Sequence, residues 1–430
     1  MKLATHRIPQ LVLTDHEFQV PLDHAKPLGT QITIFAREVN AAGRENANLP
    51  WLLFLQGGPG MAAPRVDNNH GQWWTRATRD YRVLLLDQRG TGRSTPVNYQ
   101  TLGCLPSPQA QADYLKHFRA DSIVRDAELI RLQLAGKDKW STLGQSYGGF
   151  CTATYLSLAP EGLRECIITG GLPPINQTAD DVYRATYLRV LGKNKQYYAR
   201  YPGDAPRARE IADHLAAHDV RFPSGNRFTV QHLQSLGKHF GASSGLEVVH
   251  YMLEAAFVQG RHGREISHGL LHAIEAQSIY GTNPIYIMLQ EACYTGHNAS
   301  NWSAHRLLAE YPQFDAAANE QVLFTGEMFY PWDFDAHPAL QPLKAAAQLL
   351  AEYAEWPDLY DRKVLQSNTV PVAATIYWDD MYVERAFAEQ TASLIQGCKV
   401  WVTNEYEHNA LRADGARVLD RLLGMLHGEV

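Results

Sequence analysis

Hydrophobic residues along the 430-residue chain fall into short clusters of two kinds. Residues 51–55 (WLLFL) and 83–86 (VLLL) are continuous apolar runs, the pattern of strands covered on both faces. Residues 32–39 alternate instead, which predicts one strand of an edge hairpin. Further runs at 140–143, 165–169, 372–378 and 399–403 extend the series, each bounded by Gly, Pro or polar turn residues. Helical spacings lie between several of them, as at 123–134 and 150–158. Strands alternating with helices predict a mostly parallel sheet with right-handed crossovers.

One interval breaks this alternation. From about residue 176 to residue 365 the spacing is mostly helical, with long amphipathic stretches at 204–218 and 246–259. Strand character returns only at Val370. The expected organisation is an α/β domain over 1–175 and 366–430, with a mainly helical cap over 176–365 inserted between late strands. Aromatic residues are dense over 280–332, where they would form cap core or line a pocket.

Composition narrows the function classes. Apolar residues make up 45% and charged residues 20%, a globular balance that excludes a disordered or fibrous chain. The formal charge is 39 − 45 = −6, and no Lys/Arg block stands out. Nucleic acid and anionic membrane are therefore not expected partners. The apolar runs are far shorter than a membrane span. The opening MKLATHRIPQ has no apolar segment after its basic residues, and five cysteines without a CxxC pair make no disulfide framework. The expectation is a soluble, cytoplasmic enzyme.

The sharpest chemical signal is Gly144-Gln145-Ser146-Tyr147-Gly148-Gly149, between an expected strand and an expected helix. A G-x-S-x-G turn there lifts the serine hydroxyl to the carboxyl end of the sheet, and small neighbours are needed because the backbone is crowded. A serine hydroxyl is a poor nucleophile unless a histidine base reaches it. The same pattern recurs at Gly241-Ala242-Ser243-Ser244-Gly245, but 230–240 reads as helix, so that copy is expected to be a helix–helix loop.

Three other elements fall in a meaningful order. Gln56-Gly57-Gly58-Pro59-Gly60 directly follows the 51–55 strand, where glycines let backbone N–H groups approach a developing oxyanion. The residue after the nucleophile, Tyr147, would supply a second donor. The 372–378 strand runs into Asp379-Asp380, and His408 follows the last strand. The order Ser…Asp…His is that of α/β-hydrolases, not of chymotrypsin or subtilisin. The expected class is thus α/β, an α/β-hydrolase fold. Two competing chemistries are weaker. His268, His272 and Glu275 share a helix face at metal-ligand spacing but do not form H-E-x-x-H. Gly90-Thr91-Gly92 lacks the third glycine of a dinucleotide site, and no phosphate-binding P-loop motif occurs.

With these motifs the chain resembles the prolyl aminopeptidases (proline iminopeptidases), serine peptidases of α/β-hydrolase fold. Gln56–Gly60 is similar to their HGGPG motif, with Gln56 in place of the usual histidine. Asp87-Gln88-Arg89-Gly90-Thr91-Gly92-Arg93-Ser94 looks like their DQRGxGxS segment, and Gly144 to Gly149 like their GxSxGG elbow. The length, the large cap and Phe324-Thr325-Gly326-Glu327-Met328 resemble the longer size class of that family. Around the histidine, Glu407-His408-Asn409 departs from the small residues that often follow it.

The resemblance implies Ser146 as nucleophile, Gly58 and Tyr147 N–H as oxyanion hole, and His408 as base. Asp380, the acid before Met381, would orient His408. Asp87 and Arg89 would brace the loop beside the site. The implied activity is release of an N-terminal proline from peptide substrates, with no metal or organic cofactor. A prolyl substrate also needs an apolar slot for its ring, to which Tyr147 and the cap aromatics could contribute, and a carboxylate for its cationic imino group. Glu291 and Glu327, each among apolar and aromatic neighbours, are the candidates. An esterase or amidase on the same scaffold, and a fold that only binds a ligand, are the alternatives.

Overall fold

The computed structural model describes residues 1–67, 72–261 and 263–430. Among these residues nine strands form one sheet: β1 (Lys2–Ile8), β2 (Leu11–Pro21), β3 (Gln31–Ala41), β4 (Trp51–Leu55), β5 (Arg82–Asp87), β6 (Trp140–Gln145), β7 (Leu163–Thr169), β10 (Val372–Tyr377) and β11 (Cys398–Thr403). Two more, β8 (Phe257–Gly260) and β9 (Gly263–Ile266), make a separate hairpin. The large sheet runs in the order β1-β2-β3-β5-β4-β6-β7-β10-β11. It is parallel from β5 to β11 and antiparallel from β1 to β5. This is the mostly parallel sheet that the apolar runs predict.

Burial explains the runs. Every residue of β4, β6 and β10 is buried, because helices cover both faces. On one face Ala120–Leu134 and Tyr147–Leu158 meet Leu53, Leu55, Leu84 and Leu86. On the other, Trp73–Ala77 and Gly415–His427 cover Leu52, Phe54, Val83 and Leu85. The last helix places Val418, Leu419, Leu422 and Leu423 on one stripe, the spacing that seats a helix on a sheet.

Three details differ from the expectations. The strand expected at 32–39 is not an edge: β2 pairs with it along its whole length and β1 lies outside both. Residues 246–259 are not one helix. The helix Gly245–Glu254 ends, and the chain then enters β8. The strand expected at 372–378 stops at Tyr377, and Trp378 opens the following turn.

Between β7 and β10 the chain runs mainly through helices, the longest being Ala179–Arg200. Its start is fixed by Thr178, whose hydroxyl and backbone exchange hydrogen bonds with Asp181 in a capping box. Its buried face is aromatic, with Tyr183, Tyr187 and Tyr197 at helical spacing. These rings join Phe240, Phe324 and Tyr330 in a core separate from the sheet. A further cluster joins Val97, Leu115 and Phe118 to Ile285, Phe334 and Trp356, so part of the inserted segment packs on residues that precede the serine. Among the described residues no helix is long and apolar enough to cross a membrane.

Candidate active site

Ser146 sits between the end of β6 and the helix Tyr147–Leu158. Its φ of 56° and ψ of −125° lie where an L-residue rarely goes, the strain expected of this turn. The glycines around it answer to close approach. A Cβ on Gly144 would overlap the Gly148 carbonyl, one on Gly148 the Leu55 carbonyl, and one on Gly149 the Gly171 carbonyl. A Cβ on Gly57 would stand 2.9 Å from that of Ser146.

His408 lies beyond β11 and spans the gap between serine and acid. Its Nε2 is 2.8 Å from Ser146 Oγ, and its Nδ1 is 2.7 Å from Asp380 Oδ2. Asp380 is 1% exposed, and its other oxygen accepts from the N–H groups of Tyr382 (2.8 Å) and Val383 (3.1 Å). That leaves Oδ2 for the imidazole. Asp379 turns the other way and meets Arg189 at 3.5 Å, with its side chain 45% exposed. The His408 N–H donates to the Gly241 carbonyl (3.1 Å), and the Tyr382 ring stands edge-on at 4.9 Å. Burial pulls the His408 pKa down, but the charge and hydrogen bond of Asp380, with the charge of Glu327, leave it raised above 6.5. The imidazole Nε2 is within hydrogen-bond reach of the Ser146 hydroxyl, as a base that takes and returns that proton must be.

The glycine turn after β4 borders the same space. Gly58 has φ 131°, and among the described residues its N–H donates to no protein acceptor. The Tyr147 N–H opens a helix and so has no carbonyl one turn before it. The Tyr147 ring is not on the cavity wall. It packs in the sheet core with Phe150, and the apolar wall comes from Met61, Ile279, Tyr286 and Tyr382. The Gln56 carbonyl accepts from Gln88 Nε2 at 3.0 Å. Asp87 is held by Arg65 and the N–H groups of Ala63 and Arg93. Arg89 is fully buried on Asp126, with bonds of 2.8 and 2.6 Å, and also donates to the Leu22 and His117 carbonyls. Both therefore brace the loop, and among the described residues neither lines the cavity that Ser146 faces.

That cavity encloses about 370 Å³, and Ser146, His408, Gly58 and Glu327 all line it. Glu327 accepts from the Tyr286 hydroxyl and from Gln290 Nε2 (3.2 Å). Among the described residues no cation contacts it. Burial pushes its pKa up to about 7, against the Tyr286 hydrogen bond and the charges of His408 and Lys238.

Glu291 is elsewhere, which corrects its expected place at the substrate amine. Its two oxygens accept from the N–H groups of Ser303 and Ala304, each at 3.0 Å, and so cap the helix Ser303–Leu307. Arg306, an arginine whose charge reaches Glu291, pairs with Asp180. Ser243, in the second G-x-S-x-G copy, sits in a turn between a 3₁₀ segment and a helix and donates to Asn409 Oδ1 at 2.8 Å. His268 and His272 stack with centroids 6.4 Å apart. Among the described residues no three His, Cys, Asp or Glu side chains converge as a metal site would need. Lys238, His239 and Arg412 also line the cavity, and no local motif marks them.

A strained serine after a parallel strand, a buried Ser–His–Asp chain and glycine-flanked N–H donors define a serine hydrolase of α/β-hydrolase fold, and residues 50–243 match the alpha/beta hydrolase fold family. A proline iminopeptidase of Aeromonas sobria is 50% identical over 409 residues, covering 95% of each chain. The proline iminopeptidase aneH of Aspergillus aculeatus is 33% identical over 96% of this chain and 93% of its own. A tripeptidyl aminopeptidase of Streptomyces lividans is 24% identical over 48% of this chain. The chain belongs to the proline iminopeptidase family and is an enzyme of the prolyl aminopeptidase type, a reading these relatives favour over an esterase or a binding-only homologue.

Proposed function

We infer that this enzyme releases the N-terminal proline of peptides through an acyl-enzyme on Ser146. One observation carries the inference: a single cavity is lined by Ser146 and His408 and by the enclosed carboxylate of Glu327. His408 Nε2 takes the proton from Ser146 Oγ as that oxygen attacks the prolyl carbonyl. Asp380 holds the Nδ1–H and stabilises the imidazolium that forms. The developing oxyanion accepts from the Gly58 and Tyr147 N–H groups. His408 passes its proton to the departing amine as the C–N bond breaks. It then deprotonates the water that attacks the ester, and proline leaves with Ser146 Oγ reprotonated.

Glu327 makes this an exopeptidase. A prolyl imino group is cationic at neutral pH and meets a carboxylate that, among the described residues, has no other cation in contact. An acylated terminus presents no such charge. Ile279, Tyr286 and Tyr382 offer apolar surface to the pyrrolidine ring. The five cysteines are free thiols, which supports a cytoplasmic setting. The division into a catalytic domain (1–175 and 366–430) and a cap (176–365) belongs to the same proposal, with Glu327 supplied by the cap.

Relative kcat/KM on a panel of aminoacyl anilides tests the substrate class. The prolyl compound should exceed the alanyl and leucyl ones by about a hundredfold or more, and N-acetylprolyl anilide should be inert. Comparable rates on prolyl and N-acetylprolyl anilide would remove Glu327 from substrate recognition.

A further inference from the structure

Lys238 has no role in the chemistry above, yet it stands in the wall of the catalytic cavity. Among the described residues its ammonium donates no hydrogen bond and closes no ion pair, and its near neighbour is the Tyr280 ring, 5.1 Å away. Burial lowers its pKa, and the charges of Asp333 and Glu327 oppose that effect. An enclosed cation left without an anionic partner is costly unless a ligand supplies one.

The position of Lys238 is fixed rather than incidental. Its backbone carbonyl accepts from the Tyr382 hydroxyl, and Tyr382 donates its N–H to Asp380. Three residues on, the Gly241 carbonyl accepts from the His408 N–H. The segment that carries Lys238 is thus tied to both the acid and the base. Lys238 and Gln277 also line a second cavity, of about 560 Å³, walled by Phe222, His232, Leu236, Tyr280 and His337. Lys238 thus belongs to the walls of both cavities.

Among the described residues the catalytic cavity therefore carries one carboxylate, Glu327, and one enclosed cation, Lys238, both without a partner of opposite charge in contact. A short peptide is a zwitterion with the complementary pair of charges at its two ends. We propose that Lys238 binds the C-terminal carboxylate of a dipeptide whose imino group is held by Glu327, and so makes the enzyme selective for short peptides with a free C-terminus. Lys238 is then a specificity-determining residue that acts on the leaving amino acid and not on the reacting bond. This inference rests on the aminopeptidase reading above. Arg412 lines the same cavity but is exposed at its rim, where water satisfies a guanidinium.

The test compares kcat/KM for Pro-Ala, its C-terminal amide and prolyl anilide in wild type and in Lys238→Met, Lys238→Gln, Lys238→Arg and Arg412→Met. Wild type should favour the free acid over the amide by about ten- to a hundredfold, the range of a hydrogen bond to a charged group. Lys238→Met and Lys238→Gln should erase that preference while leaving amide and anilide rates nearly unchanged, which also reports correct folding. Lys238→Arg should restore part of it, and Arg412→Met should keep it. Equal losses on acid and amide would mark Lys238 as structural and overturn the proposal. So would an unchanged acid-to-amide ratio, or a loss that follows Arg412. A wild type inactive even on prolyl anilide would instead remove the aminopeptidase reading, and this inference with it.

Discussion

Replacing Glu327 by glutamine keeps the shape of the side chain and deletes its charge, so it isolates the interaction proposed to tie the enzyme to a free N-terminus. The carboxylate is half-buried and lines the cavity, and its hydrogen bonds come from neutral groups, Tyr286 and Gln290. An ammonium about 4 Å away gains about 4 kcal/mol at an effective dielectric of 20. Removing one partner of a desolvated charge pair costs about 2–5 kcal/mol, which is about 30- to 5,000-fold in kcat/KM. Access of water through the cavity puts the expected loss for prolyl anilide at the lower end, about 30- to 300-fold. Hydrolysis of an N-acylprolyl ester, which carries no cation, should change little.

The pH dependence sharpens the same test. With a pKa of about 7, Glu327 is a carboxylate above that pH and protonates as the pH falls through it. The ionised form is the one that attracts the amine, so the prolyl-to-ester ratio should fall below pH 7, by about tenfold per unit at its steepest. Protonation of His408 affects both substrates and cancels in the ratio. In Glu327→Gln the ratio should be flat over the same range. Equal losses on both substrates, or a wild-type ratio that ignores pH, would refute this account of amine recognition.

Asp380→Asn should lower kcat by about four orders of magnitude, because an amide cannot hold His408 in the required tautomer. Asp379→Asn, a change at an exposed partner of Arg189, should stay within about threefold, and steady-state kinetics on prolyl anilide compare the two. Asp126→Asn leaves the buried Arg89 guanidinium without its counter-charge and should cost about 3–5 kcal/mol of stability in urea unfolding. A loss under 1 kcal/mol would mean that the carbonyls around Arg89 suffice without a carboxylate.

The parallel strands β4 and β5 are legible in the sequence because burial of almost every residue leaves an uninterrupted apolar run. The N-terminal pair is not legible. β1 is exposed almost throughout, and β2 carries buried Thr14, Asp15 and His16, whose polarity breaks the alternation. Those groups are satisfied across the sheet, Asp15 by Arg37 and His16 by Glu38, and such pairing is invisible before the strands are in register. Apolar residues continue past Glu254 at helical spacing, so the start of β8 has no local mark.

Within the site, Ser146 could be found from its turn and His408 from its place after the last strand. The choice between Glu291 and Glu327 could not be made locally, since both lie among apolar and aromatic residues. Only the folded chain shows that Glu291 meets a helix N-terminus while Glu327 faces the serine's cavity. Lys238 has no sequence signal, because what distinguishes it is that no anion among the described residues is in contact with it.

The proposed activity depends above all on Ser146 being the nucleophile that attacks a free prolyl terminus. A serine-reactive phosphonate, followed by peptide mapping in a mass spectrometer, tests it directly. The account predicts one adduct, on Ser146, slowed by saturating prolyl substrate and absent from Ser146→Ala, whose kcat on prolyl anilide should drop by about four to six orders of magnitude. An adduct on another residue such as Ser243, or a Ser146→Ala variant within about tenfold of wild type, would contradict it.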